Sequence, residues 1–294
     1  MNDGQALFDA SEIGQEWQVD EAAEELIRSG EIEPIIIVGI GNTQNRFDEY
    51  TPTRQIWRYE LERVSEPDIN SALSGDFKTS EGNVIRFRST GDTLFTMVPG
   101  GGFWQPLVPE SENKFYLAQG GITFTFEGSD EIGYDNLIAS KPDMGGDGVL
   151  YGNFIINEVK PFIDENLKTK PEKEFTALGG SSLGGLITLY LGLNHPDVFS
   201  ELLVVSPSVW WDGMMIIDEV KGLSESTHQH IWLDMGTREG EGAVESAEAL
   251  HQALLKKGWS DSELRFLIEA GAAHNERAWA KRVPDMLRFL YAVN

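Results

Sequence analysis

No cysteine occurs among the 294 residues, which removes disulfides, thiolate metal sites and cysteine nucleophiles together. Basic residues are scarce, with 23 Lys and Arg against 48 Asp and Glu for a formal charge of -25. They never gather into a run that could track a phosphate backbone, so no nucleic acid partner is expected, and the same charge repels anionic membrane surfaces. No apolar stretch approaches the roughly 20 residues that span a bilayer, and residues 1–10 lack the basic start and apolar run of an export signal. As written, the chain reads as cytoplasmic; a periplasmic or secreted location is expected if a signal peptide precedes Met1. What is present is an ordinary globular balance, 40% hydrophobic and 24% charged, enough for one large domain or two smaller ones.

The C-terminal half alternates short apolar runs with amphipathic stretches, the pattern of βαβ units around a mainly parallel sheet. Strands are predicted at 175–178, 201–205, 230–235 and 264–268, and helices at 153–166, 183–193, 244–257 and 276–291. Upstream, 19–28 reads as a helix closed by Gly30, and 34–38 as a fully buried strand. From about 56 to 139 the pattern changes to short β-like segments at 84–88, 93–97, 114–117 and 122–126, punctuated by Gly, Asp, Asn and Ser. The expected architecture is therefore an α/β domain made of residues 1–55 and 140–294. It is interrupted by a small antiparallel sheet or half-barrel at 56–139, with the acidic, Gly-rich stretch 141–148 as the return linker.

Gly180-Ser181-Ser182-Leu183-Gly184 lies between a predicted strand and a predicted helix, the context in which a Gly-x-Ser-x-Gly match points to a nucleophile. A serine on so tight a turn needs small neighbours, and Gly179, Gly180, Gly184 and Gly185 supply them. Centring on Ser181 loses the second flanking glycine, and no Lys follows as a phosphate loop requires, so Ser182 is the candidate nucleophile. Its base is sought among five histidines. His195 sits before Pro196 at a helix end, His228 and His230 flank a strand start, and His251 falls in a helical pattern. His274 lies in Gly271-Ala272-Ala273-His274-Asn275, a small-residue loop after the last strand, and is the candidate base. For the acid, Glu239 in the turn after 230–235 is preferred to Asp234, which lies within the strand and is expected to support the loop; Asp212 and Asp218 belong to the preceding loop. No cofactor is needed for this chemistry.

These residues resemble an esterase family of α/β hydrolases, the group that includes esterase D, enterochelin-type siderophore esterases, feruloyl esterases and mycolyltransferases. The resemblance rests on Asp3-Gly4-Gln5 with Leu7-Phe8-Asp9, Ile36-Ile37-Val38-Gly39-Ile40, Glu49-Tyr50-Thr51-Pro52 and Pro161-Phe162-Ile163-Asp164. It rests further on the segment from Gly179 to Gly185, on Ser206-Pro207-Ser208-Val209-Trp210-Trp211, and on His274-Asn275-Glu276. It implies an α/β-hydrolase fold and a triad of Ser182, His274 and Glu239, the last matching the family's Gly-Thr-x-acid segment at Gly236-Thr237-Arg238-Glu239. It also implies oxyanion donors at the backbone N–H groups of Leu183 and Gln5. Family members normally carry two strands and most of a third ahead of the Asp-Gly-x motif, so the short lead before Asp3 is expected to reflect either a missed upstream start or a sheet with a shortened edge, the second placing Gln5 on a mobile terminus. Within the insertion, Gly75-Asp76-Phe77, Asp92-Thr93-Leu94 and Phe115-Tyr116-Leu117 resemble the small β-domain appended to some penicillin-binding-type hydrolases.

The function expected from this reading is hydrolysis of a small-molecule carboxylic ester through an acyl-enzyme. Siderophore lactones, feruloyl or acetyl sugar esters and small acyl thioesters are the substrate classes in view. Trp210 and Trp211 are candidate walls for the acyl or alcohol group, with ordinary core packing as the other reading, and Phe103, Trp104 and Phe115 either line a cleft or fill the core of the insertion. An acyltransferase on the same fold and a non-catalytic binding or scaffold protein are the alternatives; a homodimer is among the partner expectations.

Overall fold

The computed structural model describes residues 1–9, 14–55, 57–66, 71–98, 103–118, 121–129 and 133–293. Residues 10 and 56, which bound two of the sequence readings, lie outside the described residues. The chain forms two units, Met1–Gln55 with Gly145–Asn294, and Ile56–Met144.

In the first unit, four strands pair side by side in parallel: Ala177–Ser181, Glu201–Val205, His230–Arg238 and Leu264–Ala273. Their runs of Leu, Val and Ile suit burial on both faces, which parallel sheets impose. The register aligns Ser181, Val205, Asp234 and Leu267 in one row across the sheet. Each chain segment that leaves this row emerges at the carboxyl edge, where open α/β sheets carry their ligands. Helices Leu183–Asn194, Met215–Gly222 and Ala243–Lys257 connect the strands. The first is buried on almost all sides, which explains its apolar character all round. Helices Val19–Ser29 and Val283–Tyr291 add Leu26, Met286, Leu287 and Leu290 to a core that contains Leu203, Val205, Trp232 and Trp279. Gly30 closes the earlier helix in left-handed backbone, φ 74°. No helix among the described residues is long and apolar enough to cross a membrane.

Four local expectations need correction. Among the described residues the predicted strand at 34–38 forms no ladder: Ile36 is exposed while Ile35 and Ile37 pack on the core, and pairing is confined to its far end, where residues 1–4 bond to Val38 and Ile40 around a bridge between Asn2 and Ile40. A segment covered on one face only cannot be a fully buried strand. The strand predicted at 175–178 begins at Ala177, because Lys173–Phe175 closes a 3-10 turn with Phe175 exposed. The helix predicted at 276–291 breaks into Glu276–Ala280 and Val283–Tyr291, since Pro284 has no N–H to continue the ladder and sits where a new first turn accepts it. The helix predicted at 153–166 runs from Gly148 to Asn166 and contains a π-turn at Ile155–Val159.

The second unit is an antiparallel meander. Among the described residues its strands run in the order Gln105–Pro106, Thr93–Met97, Val84–Thr90, Gly75–Thr79, Arg58–Arg63, Gly133–Ser140, Ile122–Ser129, Lys114–Leu117 and Val108–Pro109. The two edge strands are separated in sequence by Leu107 alone, whose N–H donates to the Leu94 carbonyl at 2.9 Å. The sheet therefore curls round on itself, and a barrel closed in this way leaves no long free edge. Alternation turns Phe77, Phe87, Phe115, Phe124 and Phe126 inward. Their rings meet edge to face, with centroids 5.0 Å apart for Phe87 and Phe126 and 5.1 Å for Phe87 and Phe124. Phe115 thus fills the barrel core and lines no cleft. Phe103 is exposed, and Trp104 lies under the Arg88 guanidinium at 4.3 Å.

Candidate active site

The strand Ala177–Ser181 ends at a buried Ser181, and the chain turns at Ser182, which adopts φ 59° and ψ −124° before the helix starts at Leu183. A non-glycine residue in that region is strained and is held by its surroundings. Here the Ser182 N–H donates to the Val205 carbonyl at 3.0 Å, and the Ser182 carbonyl accepts from Ser208 N–H at 3.0 Å and from Leu186 N–H at 3.0 Å. The flanking glycines are required by space. A Cβ at Gly180 would lie 2.9 Å from the Gly184 carbonyl group, and one at Gly185 would lie 2.9 Å from the Val205 oxygen. Ser182, not Ser181, is the half-buried serine presented at the turn.

Strand His230–Arg238 shifts register against its neighbour between Gly236 and Arg238, and the irregularity brings the chain round to Glu239. The Glu239 side chain is 1% exposed. Its Oε2 lies 2.7 Å from His274 Nδ1, while Oε1 accepts from Ser206 Oγ at 2.8 Å and from Gly236 N–H at 2.7 Å. A Cβ at Gly236 would meet that same oxygen at 2.5 Å, so the turn needs glycine there. Thr237 Oγ1 accepts from Gly271 N–H at 2.8 Å, tying the acid-bearing turn to the loop that carries His274. His274 follows the strand Leu264–Ala273 and precedes a helix capped by Asn275, whose side-chain oxygen accepts from Ala278 N–H at 3.0 Å. The imidazole stands edge-on to the Trp279 ring, centroids 5.0 Å apart, and its side chain is 40% exposed. Burial alone would raise the Glu239 carboxyl. The bonds from His274 and Ser206, the imidazole charge and the Gly236 N–H outweigh it and hold the group below the usual carboxylate value.

Asp234 lies behind this pair and does not reach His274. It is fully buried, accepts from Trp232 Nε1 at 2.7 Å and from Ser206 N–H at 3.0 Å, and stands 3.1 Å from Arg282 Nε. Burial pushes it up to about 6 against the Arg282 charge, the Trp232 bond and the Ser206 N–H, with the Glu239 charge adding to the rise. Arg282 is itself 3% exposed and sits between both carboxylates, 4.0 Å from Glu239. Ser206 joins the two acids: its hydroxyl faces Glu239 and receives Trp279 Nε1 at 3.0 Å and Arg282 Nη2 at 3.1 Å. Sequence reasoning missed Ser206, Trp279 and Arg282. Ser206 stands directly after a strand, a detectable position, but its φ of 42° is not legible in sequence. Arg282 reaches the site only because the terminal helix breaks beside it.

Ser182 Oγ lies 3.3 Å from Ser208 Oγ, and it makes no hydrogen bond to His274. Among the described residues, neither the Leu183 nor the Gln5 backbone N–H donates within the chain. Leu183 is the first residue of its helix, where N–H groups lack intrahelical acceptors. Gln5 is exposed on a 3-10 turn, Gly4–Ala6, and its side-chain oxygen accepts from Asn42 N–H at 3.3 Å. Trp210 is 56% exposed two residues beyond Ser208. Trp211 is a correction to the sequence reading: it is fully buried, and its Nε1 donates to the Thr53 carbonyl at 3.2 Å, so its indole fills the core and walls no substrate. Among the described residues no group of three or more His, Asp or Glu is arranged to hold a metal ion.

The chain is 29% identical over 159 residues to the uncharacterized protein YbbA of Bacillus subtilis, a match covering 52% of this chain and 63% of that protein. It is 36% identical over 107 residues to a siderophore enterobactin esterase of Emericella nidulans, covering 34% of this chain and 35% of the relative. The chain thus spans less than two thirds of the length of either relative. Among solved structures, the BES protein from Bacillus cereus superposes with a TM-score of 0.57 at 19% identity, over 99% of this chain and 83% of that one. An IroE-like serine hydrolase from Shewanella oneidensis gives 0.56 at 17% identity, over 100% and 70%. At such identities the likeness is one of fold. The family model described as "Putative esterase" matches residues 138–290, a little over half of the chain, which therefore belongs to that family.

Proposed function

We propose that the chain is a serine hydrolase of carboxylic esters that works through an acyl-enzyme, with Ser182 as nucleophile, His274 as base and Glu239 as the acid. The observation that carries this reading is the 2.7 Å contact between His274 Nδ1 and Glu239 Oε2, made beside a strained serine at a strand-to-helix turn. With Nδ1 committed to Glu239, the other ring nitrogen is left to take the Ser182 proton. Ser182 Oγ exchanges its Ser208 contact for His274 Nε2 as substrate binds, a tightening common where unliganded catalytic bonds are long. The alkoxide adds to the ester carbonyl, and the Leu183 and Gln5 N–H groups receive the developing oxyanion. Collapse releases the alcohol with the proton held by His274. Water, deprotonated by the same imidazole, then frees the acid.

The substrate is a small-molecule ester. Exposed Trp210 favours an acid or alcohol with a flat ring, and the relative named as a siderophore enterobactin esterase supports the same class. The test is a panel of p-nitrophenyl esters of graded acyl length together with a feruloyl and a 2,3-dihydroxybenzoyl ester. Turnover that vanishes in Ser182→Ala and is highest for the aromatic esters is expected. Undiminished turnover in Ser182→Ala overturns the nucleophile assignment.

A further inference from the structure

Asp3, two residues before Gln5, is gripped by groups that the proposed reaction does not use. It stands in left-handed backbone, φ 56°. The Arg46 guanidinium closes on both of its oxygens, Nε on Oδ1 and Nη2 on Oδ2, each at 2.7 Å, and Asn42 Nδ2 donates to Oδ1 at 2.5 Å. This two-pronged geometry fixes direction as well as distance. The Asp3 N–H donates to the Tyr50 hydroxyl at 3.0 Å, and the Gly4 N–H to the Ile40 carbonyl at 2.8 Å. A Cβ at Gly4 would lie 2.5 Å from the Gly39 carbonyl carbon, so the loop is pressed onto residues 39–40 with no slack.

Arg46 and Tyr50 flank one short helical segment, Arg46–Glu49, and the guanidinium lies over the Tyr50 ring at 5.1 Å. Tyr50 is fully buried against Tyr151, ring centroids 5.0 Å apart. Tyr151 in turn donates to Asn2 Oδ1 at 2.7 Å, and Asn2 Nδ2 reaches the Gly184 carbonyl and Thr188 Oγ1, both at 3.1 Å. The Gln5 loop and the nucleophile helix are thereby joined through side chains that begin at Arg46. Charge matters as much as shape here. Asp3 Oδ2 lies 3.2 Å from where a Gly184 Cβ would stand, at the first turn of that helix. An unpaired carboxylate in this place would oppose negative charge gathering at the Leu183 N–H, and a guanidinium bound to both its oxygens cancels it.

We infer that Arg46 is a positioning residue for oxyanion stabilisation: by pairing with Asp3 it aims the Gln5 N–H and neutralises the carboxylate beside the nucleophile turn. This rests on the serine-esterase reading. Because the oxyanion forms only in the transition state, the loss falls on kcat and not on KM. Arg46→Gln is expected to lower kcat for p-nitrophenyl acetate about tenfold to hundredfold, less than the roughly hundredfold to thousandfold that follows outright removal of a donor, with KM changed less than about threefold. Arg46→Lys recovers part of the loss. Hydrogen exchange in the peptide covering residues 1–9 quickens in Arg46→Gln, and Asp3→Asn added to Arg46→Gln turns over faster than Arg46→Gln alone.

Wild-type kcat in Arg46→Gln, or a loss confined to KM, overturns the inference. A double variant no faster than the single one overturns its charge component. If the wild-type chain neither hydrolyses esters nor labels with a fluorophosphonate, the esterase reading itself fails. Exchange in residues 1–9 then still judges the clamp, and exchange unchanged in Arg46→Gln refutes it.

Discussion

Both oxygens of Glu239 are engaged, one by the imidazole and the other by Ser206 and Gly236, in a side chain almost wholly withdrawn from water. A neutral amide there presents an N–H₂ group to His274 or loses the Ser206 and Gly236 bonds, and either way the imidazole tautomer is no longer set. Glu239→Gln is therefore expected to reduce kcat/KM by about 10²–10⁴-fold while the fold persists, a loss of the size that follows when a triad acid is neutralised. Steady-state kinetics beside far-ultraviolet circular dichroism check this.

Asp234 and Glu239 bear oppositely on stability. Asp234 is raised to about 6 from an ordinary 3.8, so the folded chain holds this proton more tightly than the unfolded one. Its contribution is complete below the unfolded value and is lost as pH rises through the folded one. Glu239 is held low, so its contribution is present above the unfolded value and lost as pH falls through the folded one. Asp234→Asn removes only the first of these. The stability of Asp234→Asn relative to wild type should rise between about pH 4 and pH 7, measured by denaturant unfolding at several pH values. A difference that stays flat or falls contradicts the raised value.

At the scale of elements, the site depends on three chain breaks at the carboxyl edge of the parallel sheet: the turn at Ser182, the register shift before Glu239 and the break between the last two helices. The last of these carries Arg282 inward. Arg282→Met leaves Asp234 buried without its cation, and breaking a buried pair in this way costs about 3–5 kcal/mol. Chemical denaturation should register that loss, whereas a loss below about 1 kcal/mol, the range of an exposed pair, would contradict the burial argument.

The four parallel strands and their helices were legible because apolar runs and helical periodicity are local signals. The strand at 34–38 was not, because an apolar run says nothing about whether a partner strand supplies hydrogen bonds. Ser182, His274 and Glu239 could be nominated from turn chemistry and chain order. Ser206, Arg282 and Arg46 could not, since their parts arise from contacts made only after folding. Trp211 misled for the same reason: adjacent to exposed Trp210 in sequence, it turns the other way into the core.

At the scale of the whole molecule, the two units own separate cores: an aliphatic and tryptophan core about the parallel sheet, and a phenylalanine core within the barrel. Calorimetry should resolve more than one transition, as is usual for chains with several cores. Phe126→Ala opens a cavity among rings at the barrel centre, and about 3–5 kcal/mol should be lost from one transition only. A uniform shift of the entire profile would show that the cores unfold as one.

Ester hydrolysis by this chain requires that one hydroxyl be activated for attack. Incubation with a fluorophosphonate probe, followed by intact-mass measurement and peptide mapping, reads this directly. The predicted result is a single adduct on Ser182 that is absent in Ser182→Ala and much slower to form in His274→Ala. An unlabelled wild-type chain, or an adduct that persists in Ser182→Ala, would contradict the account.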